Sequence, residues 1–580
     1  LYNSLAHRTT WLRSDFPTDE NGNTYGGGAN DTATGIKIAK DATEYGMKVM
    51  LNFQYSDFWT DPSQQILPKS WEKDKDNPEK MRENIYNYTK DTIQQFKEEI
   101  PNVDIGMVQV GNEITNGLLG EIANRDNGGK YTAVWGNEET SKKVNSYINA
   151  GSQAVRECLP EALIVLQLET PNIEKYTNIM NTWERDHVDY DVLGSSFYPF
   201  WTKDWTVEGV PNANTLSNLE KIQKLAASYG KLFVVAETAW VNDLNDSDGT
   251  HNAIGEADDT SAYEVGPQGQ VDQLEDMYEC LTEQPNSLGA FYWEPAWIAV
   301  KPGWVNWEYN KNMSNKFGTG WAAEAAESYC AYDKIHDSEG NGTWGGSSWD
   351  NCAMFDYNGY PLQSLLFYRD SIAKGDEQVT IIHFVDENGN EIATDDFVKI
   401  AVGDNYEYTV PEIDGYKMQG EGKVTIQGTK AGVGYQNIIF EKDTTNPVND
   451  ESNTPTKPVD PSITQPSADK GTVITPADNV IIKERFYNKV VKIKTKKYSL
   501  YDDLNGKKSN KKIKKIRTKK YVARKVYKHK NGNKYIELRT KKGKFVGYIN
   551  KKAVKVLRTT QGKKYSYQKK VRITNKKYKL

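Results

Sequence analysis

Two glutamates stand where a short apolar run ends. Glu113 closes Val108-Gln-Val-Gly-Asn-Glu113, and Glu237 closes Leu232-Phe-Val-Val-Ala-Glu237. An acid just past a buried strand lies at the strand's C-terminal end, the face on which barrel active sites form. Two such acids suit glycosidic-bond cleavage. One carboxyl, protonated, assists the leaving oxygen, while the other attacks the anomeric carbon as carboxylate; a separation of roughly 5 Å gives retention. A lone acid at such a point can equally cap the next helix, but two in matched contexts point to the chemistry. Asn112, beside Glu113, is placed to hydrogen-bond a sugar 2-hydroxyl, and Asp57 to fix another hydroxyl. Trp59, Tyr198, Trp201, Trp293 and Trp297 lie at or near strand ends, where aromatic faces stack on the C–H faces of sugars. Packing in the core is the other use of such side chains.

The elements that must carry these residues are legible as alternation. Lys48–Phe53, Ile105–Val110, Ala162–Leu168, Val192–Phe197, Leu232–Ala236 and Gly289–Trp293 read as buried strands, with another near Thr10–Arg13. Helix-like stretches such as Asp31–Tyr45, Pro78–Ile100 and Asn214–Tyr229 separate them. Strands alternating with helices imply parallel βαβ units. The expected fold is a (β/α)8 TIM barrel over residues 1–373, with its first strand missing.

The 580 residues predict three or four domains. An all-β module is expected over 376–443, and a Pro/Ser/Thr-rich linker over 444–480. A basic β-like region follows over 481–580. It holds 37 Lys+Arg against 4 Asp+Glu, while residues 1–480 hold 36 against 75. So sharp a division implies two parts with different partners. Val490–Leu500 is repeated at Lys570–Leu580, so a second copy is expected to begin where the chain stops. The chain starts with Leu1 rather than Met, and the true N-terminus is expected upstream. Four Cys in this length exclude a disulfide-framework fold, and six scattered His argue against a His-rich zinc site. No run of eighteen apolar residues offers a transmembrane helix.

The first 370 residues resemble glycoside hydrolase family 53, the endo-β-1,4-galactanases. The likeness rests on Tyr25-Gly-Gly-Gly28 with Asn30-Asp31, Tyr55-Ser-Asp-Phe-Trp59 with Asp61-Pro62, and Val108–Gly117. It continues through Ser196-Phe-Tyr-Pro199 with Trp201, Val235-Ala-Glu-Thr238, Pro267-Gln-Gly-Gln270 and Tyr292-Trp-Glu-Pro-Ala-Trp297. The resemblance implies Glu113 as acid/base and Glu237 as nucleophile in cleaving β-1,4-galactan. The family's chemistry on another β-linked polysaccharide, or a barrel that binds glycan without cutting, are the alternatives. The sequence departs from the family at Gln54, where His is usual, and over His7–Phe16. The family's supporting Arg would have to be Arg8 or Arg13.

Bacterial members carry a calcium loop after strand 7, which Asn245–Asn252 resembles. Asp246, Asp248 and Asn252, with His251, are the expected Ca²⁺ ligands, since alternating acids and Gly in a tight loop converge hard oxygens. A secreted setting would permit a Cys330–Cys352 bridge, whereas Cys158 and Cys280 read as buried thiols. Residues 376–443 resemble the MucBP repeat of surface proteins of lactic-acid bacteria, through Val379–Glu391, Val402-Gly-Asp-Asn405 and Ile413-Asp-Gly-Tyr416. Adhesion and simple spacing are both open uses. The basic region resembles the SH3-like wall-binding repeats of Gram-positive bacteria, through Tyr498–Leu504, His529–Asn533 and Gly547–Ile549. An anionic wall polymer is its expected partner, held by counterion release. Nucleic acid, which Lys with interleaved aromatics also suits, is disfavoured by the hydrolase context. The whole reads as a secreted, wall-associated protein.

Overall fold

The computed structural model describes residues 6–10, 32–56, 60–62, 65–122, 131–201, 214–245, 252–255, 260, 262–298, 349–356, 359–368, 377–420, 422–443, 481–495, 497–502, 508–509, 513, 519–529, 533–540 and 545–556. It forms two compact units, Leu1–Thr464 and Gln465–Leu580.

The first unit begins with seven strands: β1 (Ala6–Thr10), β2 (Val49–Phe53), β3 (Ile105–Val110), β4 (Leu163–Leu168), β5 (Val192–Ser196), β6 (Leu232–Thr238) and β7 (Ser287–Tyr292). They form one sheet in chain order, each parallel to the next. The helices between them are α1 (Thr32–Glu44), α2 (Pro78–Glu99), α3 (Glu138–Cys158), α4 (Ile173–Arg185), α5 (Leu216–Ser228) and α6 (Pro267–Thr282). Sequential parallel strands with a helix at every crossover make the expected TIM-like barrel. The helices start where side chains cap them. Asn77, Asn137, Asn172 and Thr215 each accept a backbone N–H of the first turn, and Pro78 and Pro267 occupy first helical positions.

The inward side chains divide by height. Met50, Met107, Leu163, Val165, Val192, Leu232, Val234 and Leu288, towards the strand N-termini, form an apolar floor. One step higher on the same face come Asn52, Gln109, Gln167 and Ser196, all buried and polar. Alternation along a strand keeps residues two apart on one side, so the strands themselves sort floor from site.

The expected junction at 373–376 and the linker 444–480 lie outside the described residues. The module comprises β8 (Glu377–Asp386), β9 (Glu391–Ala401), β10 (Asn405–Thr409), β11 (Tyr416–Met418), β12 (Lys423–Gln427) and β13 (Gly432–Lys442). Its main sheet runs β9-β8-β13-β11, with β10 and β12 pairing apart. The expected turn after β8 is held by Asp386, whose Oδ1 accepts from the Asn388 and Asn390 amides at 2.9 and 2.8 Å. The module has its own core around Ile382, Phe384, Ile400, Ile426 and Phe440. It also packs against the barrel. Val379 and Ile381 of β8 and Phe397 of β9 belong to the barrel-floor cluster. The turn at Gly230 (φ +66°) lies against Thr394 and Asp395, where an added Cβ would come 3.3 Å from Thr394 Cγ2.

The second unit is an antiparallel sheet of β14 (Ile481–Ile493), β15 (Leu500–Tyr501), β16 (Lys520–His529), β17 (Lys534–Arg539), β18 (Phe545–Asn550) and β19 (Val554–Val556), in the order β15-β18-β17-β16-β14-β19. Val491, Leu500, Ile536, Leu538 and Ile549 fill its core. The second repeat copy, 570–580, lies outside the described residues. Among those described, no helix is long and apolar enough to cross a membrane.

The shared floor makes a testable demand. All 15 tryptophans lie between Trp11 and Trp349, so their emission follows the barrel and not the module. Phe397→Ala, which empties a buried position 4% exposed, should cost about 3 kcal/mol. The denaturation midpoint read by tryptophan fluorescence should therefore fall. An unmoved midpoint would mean that barrel and module unfold independently.

Candidate active site

Glu237 reaches the barrel interior through an irregularity in β6. Ser195 pairs with Val235, but Ser196 pairs with Glu237, so Ala236 is an extra residue in the ladder. Leu232 and Val234 face the floor cluster. Strict alternation would turn Ala236 inward and Glu237 towards the helices; a bulge of one residue reverses that. Glu113 reaches the same space differently. It follows β3 in the left-handed region, at φ 47° and ψ 49°. Tyr55, Thr170 and Glu294, each just beyond a strand end, also have φ of 50°, 51° and 45°. Such backbone costs on the order of 1–3 kcal/mol per residue and collects where geometry is over-determined by function.

Gln167, fully buried on β4, joins the two acids. Its Nε2 donates to Glu237 Oε1 at 2.8 Å and to Ser196 Oγ at 3.0 Å. Ser196 Oγ in turn donates to Glu113 Oε1 at 2.5 Å. On its other side, Gln167 Oε1 accepts from Gln109 Nε2 at 2.5 Å and from the Glu113 backbone N–H at 3.3 Å. The second Glu237 oxygen accepts from the Tyr198 hydroxyl at 2.8 Å.

Burial raises both carboxyls above the ordinary glutamate range, because a charge is disfavoured away from water. Glu113 is raised well above it, with the nearby Glu237 adding to burial and the single Ser196 bond opposing. Glu237 is raised less, since Gln167 and Tyr198 both donate to its charged form. The unequal donors favour ionisation of Glu237 ahead of Glu113.

Asn112 is buried at 2% exposure. Its Oδ1 accepts from Asn52 at 2.8 Å, and its Nδ2 donates to the Thr60 carbonyl at 2.8 Å, leaving its second amide hydrogen without a partner among the described residues. Tyr198 is 4% exposed, ringed by Phe200, Trp201 and Trp349 at 5.2–5.5 Å between centroids. It is placed to hold Glu237 more than to offer a face to sugar. Trp201, Trp293 and Trp297 are half-buried around the strand ends. Asp57 and Trp59 lie outside the described residues, as do Asp246, Asp248, His251 and Arg13; of Arg8 only the backbone is described.

Asn252 is buried, with Nδ2 on the Asn245 carbonyl at 3.0 Å and Oδ1 without a partner among the described residues. Gln54, where the resemblance expects His, accepts from both the amide and the hydroxyl of Thr60 and so ties down the loop after β2. Cys330, the expected partner of Cys352, lies outside the described residues; Cys352 and Cys280 are buried free thiols, and Cys158, expected to be buried, is half-buried at the end of α3.

A TIM-like barrel carrying two hydrogen-bonded glutamates at its strand C-termini, Glu237 buried and Glu113 half-buried, has the form of a glycosidase. A sequence profile of glycosyl hydrolase family 53 matches residues 12–368, and one of the MucBP domain matches residues 378–445. The chain belongs to glycosyl hydrolase family 53 and is a glycoside hydrolase, with a MucBP domain behind the barrel. It is 40% identical over 357 residues to an endo-beta-1,4-galactanase of Bacillus subtilis, covering 61% of this chain and 74% of that protein. An arabinogalactan endo-beta-1,4-galactanase of Cellvibrio japonicus is 30% identical over 304 residues, covering 51% and 70%. Among solved structures, the Ignisphaera aggregans GH53 catalytic domain aligns with a TM-score of 0.47 at 29% identity, covering 62% of this chain and 83% of that one.

Proposed function

We propose that the chain is an endo-β-1,4-galactanase that cleaves internal linkages of the galactan and arabinogalactan side chains of pectin with retention. The observation that carries the mechanism is the single hydrogen-bonded group holding Glu113 and Glu237 with unequal donors. Glu237 attacks the anomeric carbon as carboxylate. Glu113 gives its proton to the departing glycosidic oxygen, and a galactosyl ester forms on Glu237. Glu113, now ionised, takes a proton from water. That water attacks the same carbon, and Glu237 leaves as carboxylate. Asn112, with its remaining amide hydrogen, addresses the sugar 2-hydroxyl. Trp201, Trp293 and Trp297, with Trp59, provide stacking faces, and Asp57 a hydroxyl contact.

Glu237→Ala and Glu113→Gln should each reduce reducing-end release from galactan by orders of magnitude. Azide should restore turnover of an activated aryl galactoside, giving the α-galactosyl azide from Glu237→Ala and the β-azide from Glu113→Ala. Near-normal activity in either glutamate variant would overturn the assignment. Carboxymethylcellulose or mannan, cut in place of galactan, would move the substrate, and binding without cutting would make the barrel a glycan-binding module.

A calcium ion suits the loop after β6. Asn252 Oδ1 is a buried hard oxygen with no partner among the described residues, the kind of donor Ca²⁺ gathers. Asp246, Asp248 and His251 would complete the set, and the ion would pin this loop beside the site. Chelation should lower the Tm of the parent chain and leave that of Asn252→Ala unmoved; an equal fall in both would place any ion elsewhere.

The basic C-terminal unit and the MucBP domain are proposed to hold the secreted protein at a Gram-positive wall, the former through an anionic polymer. Retention on purified walls should fall steeply between 50 and 200 mM salt, by the order of magnitude that releasing several counterions produces. Salt-independent retention would exclude an electrostatic partner.

A further inference from the structure

We infer that Gln167 is the positioning residue that sets the different tasks of the two glutamates, acting on Glu237 directly and on Glu113 through the Ser196 hydroxyl. The inference rests on the catalytic assignment proposed above and goes beyond it, because neither residue belongs to the pair that reacts. It stands on geometry. The side-chain amide has one acceptor and two donor hydrogens, and every one of them is used. The Glu113 N–H can only donate, so the amide oxygen must face it. The Glu237 carboxylate can only accept, so the amide nitrogen must face that side. The orientation of Gln167 is thus dictated from both ends, and Gln109 adds a second donor to the oxygen.

The remaining amide hydrogen goes to Ser196 Oγ. Accepting from Gln167, the serine hydroxyl turns its one hydrogen to Glu113. The order of donors therefore runs one way, from Gln109 through Gln167 and Ser196 to Glu113. A hydroxyl donating to Glu113 fixes which carboxyl oxygen is free to carry the proton towards the leaving group. The other arm gives Glu237 a donor that favours its ionised form. Burial is complete for Gln167 and Gln109, so water cannot replace what either supplies. Gln109 of β3 holds the Gln167 amide oxygen from the neighbouring strand.

Three variants of the full chain, compared with the parent on galactan and on a dinitrophenyl β-galactobioside, test this. Gln167→Leu should lower kcat roughly ten- to a hundred-fold, the range expected for losing hydrogen bonds to a charged group, with KM little changed. It should also move the acidic limb of the kcat/KM profile to higher pH, since Glu237 loses a donor to its charged form. Ser196→Ala should move only the basic limb, again upwards. Its loss should be large on galactan and small on the dinitrophenyl substrate, which needs no proton on its leaving group. Gln167→Glu should shift the acidic limb upwards further than Gln167→Leu, because a new negative charge faces Glu237. Unmoved limbs in folded Gln167→Leu, or a higher KM at constant kcat, would overturn the inference. If that variant does not fold, Ser196→Ala decides: equal losses on both substrates overturn the relay. Glu113→Gln and Glu237→Ala run alongside. If they retain activity the catalytic assignment has failed; if they are inactive while the Gln167 and Ser196 variants behave as parent, the failure lies with the relay alone.

Discussion

Two neighbouring carboxyl groups largely withdrawn from water cannot both be ionised at low cost, and the architecture of the barrel interior follows from that constraint. A charge removed from water must be compensated by donors, and two like charges in one site raise each other's affinity for protons. The protein meets this with a layer of amides and hydroxyls: Asn52, Gln109, Gln167, Ser196 and Tyr198. The amides and the serine hydroxyl carry no charge, and burial pushes the Tyr198 hydroxyl well above the ordinary tyrosine range, so they stabilise one ionised glutamate without adding a charge of their own. They are also short of freedom. Each is held by at least one partner besides the glutamates, which keeps the donors in place before substrate arrives.

That polar layer exists because the barrel does not need it for packing. The apolar floor beneath it, with the MucBP domain pressed against it, supplies the burial that holds the strands in register. The upper half of each strand is then free to carry side chains that would weaken an ordinary core. Irregularities occur at both ends of the sheet, with register shifts at Val49/Met50 and Phe233/Val234 below, but those next to the glutamates are in the upper half. The extra residue at Ala236 and the left-handed backbone of Tyr55, Glu113, Thr170 and Glu294 all lie above the floor.

Much of this is legible in the amino-acid order, and the limits have physical reasons. Ile105–Val110 and Pro78–Glu99 emerge nearly to the residue, because apolar runs and an Asn-Pro cap are local signals. Glu113 and Glu237 can be found because each acid ends such a run. Gln167 is harder. It sits inside the apolar stretch Leu163–Leu168, where one amide at an inward position was the available clue. Ser196 gives no clue at all, since a serine's role depends on what lies across from it. Tyr198 reads as a stacking face from its place in the chain. Its hydroxyl points to Glu237 because the surrounding aromatic rings bury it, and that is a tertiary fact. The contact of Phe397 with the barrel floor is of the same kind: a pattern of alternation says which face is buried, never what buries it. The shift of register at Ala236 leaves no mark in composition either.

The course of β13 gives the molecule a direction. Its first residues, at Val433, lie against the barrel cluster, while Phe440 belongs to the module's own core and Asp443 ends on the Gly415 carbonyl. The chain therefore leaves this unit at the end of the module remote from the barrel. Glu113 and Glu237 open on the opposite side, at the strand C-termini. The barrel mouth and the exit of the module's last strand are thus at opposite ends of this unit.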